Sequence, residues 1–254
     1  MKKLALLLTW CVVAGAQTAP RAAVRAIIQE LVLANRILAN EGVVDAYGHV
    51  SARDDRNPNH YFLARHVAAG LVTAADIIEY DLDTNPVGGA RTDGYSERFI
   101  HGEIYKARPD VTAIVHFHAP EVIPFGVSNI PLRPVFHMAA FLGEGVPVFE
   151  IRNSGGVTDM LIRTPALGHA LAETLGDKPA ALMRGHGAVV TAAGLHVVVG
   201  RAYYMKVNAK LQQEAMLLSG GKVTYLDPEE AKKAAPQDGF ERAWEMWKQR
   251  IKLR

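Results

Sequence analysis

Two histidines, His116 and His118, stand two residues apart in the run VTAIVHFHAP at 111–120. Side chains alternate between the faces of a strand, so both rings point the same way while Phe117 enters the opposite core. Such a pair suits a shared metal ion, and it equally describes core histidines satisfied by hydrogen bonds. His186 stands between glycines in RGHG at 184–187, where the missing side chains permit a sharp bend and the close approach of a ligand; a plain turn has the same pattern. Glu97 opens the helical segment that feeds the HxH strand and brings a carboxylate to the same unit; a glutamate there also complements the helix dipole. Three neutral imidazoles and a carboxylate, with positions left open for a substrate, form the donor set of a catalytic Zn²⁺ or Mn²⁺ site.

These residues need elements to hold them. Val24, Ile27, Ile28, Leu31, Ala34, Ile37 and Leu38 recur at helical spacing and predict an amphipathic helix that stops at Gly42. GHVSAR and HYFLAR read as short strands, followed by a loop in the Asn, Pro, Gly and Asp residues of 81–94. Residues 96–106 predict a helix with Ser96 available as its cap, and 111–118 the HxH strand. A further helix is expected at 166–176, two short strands around the glycine turn of RGHG, and a long helix from Leu195 to the Gly220-Gly221 pair. The charged tail from Asp227, ending in ERAWEMWKQRIKLR, reads as a helix packed on a neighbour or on the body.

Composition narrows the partners. With 254 residues, 49% hydrophobic and 21% charged, the chain is long enough for one domain with a substantial core, and it shows no repeat or low-complexity tract. The start, MKK followed by LALLLTWCVVAGA, has the basic and apolar regions of a secretory leader, with Ala14, Gly15 and Ala16 as cleavage site. The apolar run is shorter than the roughly 20 residues of a membrane span. Residues 1–16, possibly to 19, are therefore expected to be removed, giving a periplasmic or secreted protein without a membrane anchor. Cys11 goes with them, which excludes disulfides and thiolate catalysis from the mature chain. The formal charge of +2 falls to about zero with Lys2 and Lys3 gone, and no basic run interleaved with aromatics argues for nucleic acid.

Taken together, SERFIHGEIYKARPDVTAIVHFHAP at 96–120, the later RGHG and the earlier YGHVSAR resemble the class II aldolase/adducin family, over roughly residues 21–226. The resemblance implies a three-layer α/β/α sandwich around a central, mainly antiparallel sheet. It implies a divalent metal on His116, His118 and His186, with Glu97 as catalytic acid/base that also enters the metal's shell. It further implies a homo-oligomer, commonly a tetramer, with active sites at subunit interfaces.

The chain departs from the sugar-phosphate members of that family. Where they carry a Thr-Gly for phosphate it reads LARHVAAG, with Arg65 and His66, and Tyr95 precedes Ser96 where they carry a Ser-Ser pair. An arginine fork suits a carboxylate better than hydroxyls do. YGHVSAR, SERFIHGEIYKARPDV and IPLRPVFHMAAFLGEGVPVFEIR look more like the branch that decarboxylates hydroxylated aromatic or heteroaromatic carboxylates, typified by 3-hydroxy-2-methylpyridine-4,5-dicarboxylate decarboxylase. The expected substrate is thus a small carboxylate, decarboxylated with protonated Glu97 delivering the proton to carbon. The alternatives are aldol cleavage of an unphosphorylated hydroxy-keto acid or sugar, and a non-catalytic adducin-like module. His49, Arg65, His66 and Tyr204 are the candidate substrate contacts, with Arg53, Arg133, His137 and Tyr203 behind them. Each has a structural role open to it, as a cap, an ion pair or helix packing. His101, one helical turn after Glu97, is placed to orient that carboxylate or to rest in the core.

Overall fold

The computed structural model describes residues 18–89, 93–234 and 239–252, with side chains from residue 26 onward. The expected leader and Cys11 lie outside the described residues. In chain order the regular elements are α1 (Thr18–Asn40), β1 (His49–Arg53), β2 (His60–Ala64), β3 (Ile77–Asp81), α2 (Phe99–Ala107), β4 (Ala113–Phe117) and α3 (Ile123–Val127). They continue with β5 (Val148–Phe149), α4 (Arg152–Gly155), α5 (Pro165–Leu175), β6 (Ala180–Met183), β7 (Gly187–Ala192), α6 (Leu195–Ser219), α7 (Pro228–Ala234) and α8 (Glu241–Lys252). The strands form one seven-stranded sheet in the order β3-β2-β1-β4-β7-β6-β5, antiparallel throughout except for the parallel pair β5 and β6.

Alternation along the central strands divides the hydrophobic core in two. On β4, Ala113, Val115 and Phe117 enter one cluster with Leu31, Ile37 and Leu38 of α1, Val198, Val199 and Met205 of α6 and Trp244 and Trp247 of α8. Ile114 enters the other, with Ile100, Ile104 and Tyr105 of α2 and Leu171, Ala172 and Leu175 of α5. The result is the expected three-layer α/β/α sandwich. Because His116 has the parity of Ile114, it faces the α2 layer, as do His49 and Ser51 on β1.

Two details differ from the expectations, and a third decides between two of them. The helix expected from 96 begins at Phe99: Ser96 to Arg98 form a turn, and Arg98 at the cap position makes no side-chain capping bond. Glu97 thus lies ahead of the helix, freed from its first turn. β3 was hidden beside the turn-rich loop, although Ile78 and Tyr80 carry its two-residue period; β5, only two residues long, leaves no pattern to read. The tail docks on the chain's own body, with Trp244 and Trp247 three residues apart on α8 and both buried. Among the described residues no helix is long and apolar enough to cross a membrane.

Removing one of these anchors leaves a cavity under α8. Trp244→Ala is expected to destabilise the protein by about 3–5 kcal/mol, read as a lower urea midpoint; an unchanged midpoint would mean that α8 is not part of the folded unit.

Candidate metal centre and its pocket

The end of β4 and the β6–β7 turn build the centre. His118 is the first residue beyond β4, and His186 sits in the turn opposite it. Gly185, with φ at +65°, reverses the chain, and a side chain at Gly187 would place its Cβ 2.2 Å from the Phe117 carbonyl oxygen and 3.1 Å from the His118 Cα. Two glycines therefore let β7 lie against the HxH segment closely enough for His186 to meet His118.

The rings are fixed by what only accepts hydrogen bonds. His116 Nδ1 lies 3.1 Å from the Ala188 carbonyl oxygen and His186 Nδ1 3.0 Å from that of Met160. Each Nδ1 then carries the hydrogen, and each Nε2 turns a lone pair inward. His118 Nε2 is 2.8 Å from His116 Nε2 and 3.0 Å from His186 Nε2. One hydrogen on a neutral imidazole meets one of those lone pairs and leaves the other facing it, whereas a cation meets all of them. A tetrahedral ion with bonds of about 2.0 Å sets its donors about 3.3 Å apart. Glu97 Oε2 completes the set at 3.7 Å from His116 Nε2 and 3.5 Å from His186 Nε2, and the four donor atoms all lie within 4.8 Å of one another. These residues fit a divalent ion.

Residues 156–164, between α4 and α5, close the centre from outside. Met160, with φ at +71° and its amide bonded to Thr158 Oγ1, presents its carbonyl to His186. Two residues on, the Ile162 amide donates to Glu97 Oε1 at 2.9 Å. Burial alone pushes the Glu97 carboxyl up, but His116 and His186 beside it hold it well below the usual carboxylate range. Burial, then the neighbouring His116 and His186, lower His118 to about 3; burial lowers His116 as well, against the pull of Glu97. His116 and His118 are thus neutral ligands at neutral pH.

A cavity of about 450 Å³ opens onto Glu97 and His118. His49, Tyr95 and His66 wall it together with Tyr47, Leu161 and Arg163. Behind His49 runs a buried chain: His49 Nδ1 to His101 Nε2 at 2.7 Å, His101 Nδ1 to Ser51 Oγ at 2.6 Å, Ser51 Oγ to the Tyr105 hydroxyl at 2.8 Å. Burial keeps both imidazoles neutral, with His101 lowered to about 3 and His49 well below its ordinary value.

Residues 29–213 match the model of the class II aldolase and adducin N-terminal domain. The chain belongs to this family. Over 235 residues the aldolase-type domain is 36% identical to the decarboxylase tropJ of Talaromyces stipitatus, covering 83% of this chain and 88% of that protein. Over 204 residues it is 30% identical to the 3,4-dihydroxyphthalate decarboxylase of Arthrobacter keyseri, covering 76% of this chain and 79% of that protein. An L-fuculose 1-phosphate aldolase from Glaciozyma antarctica PI12 shares the fold, with a TM-score of 0.75 at 22% identity over 94% of this chain and 93% of that one.

Of the site residues expected from sequence, this class II aldolase domain brings together Glu97, His116, His118 and His186, with His49 and His66 on the adjoining pocket. Arg65 lies to one side, its Nε bound to Asp76 Oδ1 at 2.6 Å, and does not line the pocket. Tyr204 is on the far face of the sheet, because α6 belongs to the α1 layer; it packs on Phe136, Phe240 and Trp247. His101 turns away from Glu97 to His49 and Ser51. Arg53 spends its guanidinium on the carbonyls of Val111, Tyr105, Arg108 and Pro58, and Arg133 lies over the Tyr225 ring. Sequence reasoning missed Leu161 and Arg163, which reach the pocket through loop closure and carry no local signal.

Acid should unfold the metal-free aldolase domain through these histidines. As the pH falls, unfolded imidazoles accept protons near 6.5, while His118 and His101 resist until about 3, so protonation favours the unfolded chain. Stability is expected to be level above about pH 7.5 and to fall from about 6.5 downward. Glu97, lowered in the fold, adds to the loss below its ordinary 4.5. Urea unfolding at a series of pH values measures this, and a rise on acidification would contradict it.

Proposed function

We propose that the protein is a divalent-metal-dependent lyase that decarboxylates a hydroxylated aromatic or heteroaromatic carboxylate. The observation that carries the reading is the convergence of three imidazole Nε2 atoms and Glu97 on one point, with Glu97 and His118 lining a cavity of about 450 Å³. Two relatives that cover most of the chain are named decarboxylases, which supports this reaction over aldol cleavage. Among the residues lining the cavity Ser96 is the one serine or threonine, a poor provision for a phosphate.

His116, His118 and His186 would hold a Zn²⁺ or Mn²⁺ ion through Nε2, and Glu97 Oε2, beside them, would yield its place to the substrate. Such an ion supplies a Lewis-acid charge that stabilises the negative charge left as CO₂ departs. Glu97 moves the proton. Its Oε1 is engaged by the Ile162 amide, so Oε2 takes the proton of the substrate's ring hydroxyl. The bond from ring to carboxylate breaks and leaves its electron pair on the ring carbon. Oε2 returns the proton to that carbon, forming the C–H bond, and water reprotonates the ring oxygen. His49, held by the His101–Ser51–Tyr105 chain, and His66 orient the ring from the side.

The decisive measurement is CO₂ release by protein loaded with Zn²⁺ or Mn²⁺ across a panel of ortho-hydroxy aromatic and heteroaromatic carboxylates. Release from at least one is expected, and none after chelation or from His118→Ala. Glu97→Gln should retain its metal by elemental analysis and lose about 10²–10⁴-fold in rate. Full activity of that variant removes Glu97 from the proton path, and silence across the panel moves the reading to aldol cleavage of an unphosphorylated hydroxy-keto acid.

The same reading places the mature chain in the periplasm or outside the cell, on the strength of the leader pattern in residues 1–16. It also takes the protein as a homo-oligomer, a tetramer with active sites at its interfaces. The support is Tyr47, 63% exposed at the pocket, together with Leu217 and Leu218 at the end of α6, 82% and 90% exposed: apolar surface that a second copy would cover. Light scattering is expected to give about four chain masses, and a monomer at micromolar concentration would overturn it.

A further inference from the structure

The lining of the pocket carries two kinds of charged chemistry: Glu97 with His118 of the candidate centre, and Arg163, the one guanidinium among the lining residues. A ring held by its departing carboxylate at the centre leaves its remaining substituents to the rest of the lining.

Arg163 is placed by the same stretch of backbone that grips two of the candidate ligands. Met160 and Ile162, the residues bonded to His186 and Glu97, lie three and one positions before it. Its Nε is bound to Asp159 Oδ2 at 2.8 Å, which limits the guanidinium's rotation. That contact uses one of five N–H donors, and those on the two terminal nitrogens are the pair that meets a carboxylate end-on. From a Cα one residue beyond Ile162, an arginine of about 6–7 Å reach spans about the width of one substituted ring.

We propose that Arg163 recognises a second carboxylate on the substrate, so that the pocket selects dicarboxylated rings over monocarboxylated ones. The proposal rests on the substrate reading above and deepens it by assigning specificity to a residue outside the metal set. Arg163 is a specificity residue here: it touches the substituent that stays on the ring, and no bond changes at it.

Equilibrium binding tests this separately from turnover. The probes are benzoate and benzene-1,2-, 1,3- and 1,4-dicarboxylate, none of which carries the ring hydroxyl that decarboxylation requires. Calorimetry on the zinc-loaded protein is expected to show at least one dicarboxylate binding about tenfold more tightly than benzoate. In Arg163→Gln that margin should shrink to about twofold or less, and in Arg163→Lys, which keeps the charge and loses the fork, to an intermediate value. Both side chains of the Asp159–Arg163 pair are more than half exposed, and such pairs add little to stability, so the variants fold. Three results overturn the proposal: no isomer bound more tightly than benzoate, a margin that survives in Arg163→Gln, or an equal loss for benzoate and dicarboxylates. Failure of the decarboxylase reading looks different, as an intact binding preference with no CO₂ released from any hydroxylated member of the reaction panel.

Discussion

Two imidazole nitrogens that turn lone pairs at the same point repel each other, and burial removes the water that would separate them. His116 and His186 are held in that relation by the carbonyl oxygens of Ala188 and Met160, which accept at Nδ1 and leave Nε2 bare. A fold keeps such an arrangement only when a cation relieves it or when other contacts outweigh the cost. Here the outweighing contacts are the two hydrophobic layers on either side of β4, whose packing sets the strand that carries His116 and His118. Tautomer, strand parity and glycine geometry all act toward the same point, and this agreement among levels marks a functional centre more reliably than any one residue does.

The buried chain behind His49 shows a second use of strand parity. His49 and Ser51 alternate with Val50 and Ala52 on β1, so the polar pair faces α2 while the apolar pair enters the α1 layer. His101 and Tyr105, one helical turn apart on α2, meet them. Four polar groups thus satisfy one another where a lone one would be costly, and the ring of His49 is presented to the pocket in one orientation.

How far all this was legible in the sequence follows from how local each signal is. HxH and RGHG were readable because two residues of strand, or a glycine on each side of one residue, suffice to aim the side chains. The sandwich was readable because the helical and strand periods extend over many residues. Glu97 was placed in the right unit, but its partners could not be read with it, since His186 and the Ile162 amide come from far along the chain. Arg65 and Tyr204 misled for a related reason: each carries suitable chemistry, and only the fold shows that one is taken by Asp76 and the other lies across the sheet. Residues 156–164 left no trace, because an irregular segment has no period and owes its place to what it touches.

That irregular segment has a consequence for how relatives of this domain can diverge. Its backbone answers to two fixed points, the Nδ1 of His186 and the carboxylate of Glu97, only two residues apart. An insertion or deletion between Met160 and Ile162 would release one of the two, so the length of the loop is tied to the candidate centre although most of it lies at the surface. Side chains at 161 and 163 carry no such obligation. Descendants of this chain can change what the pocket admits by substitution at those positions, while the spacing that holds them is inherited unaltered.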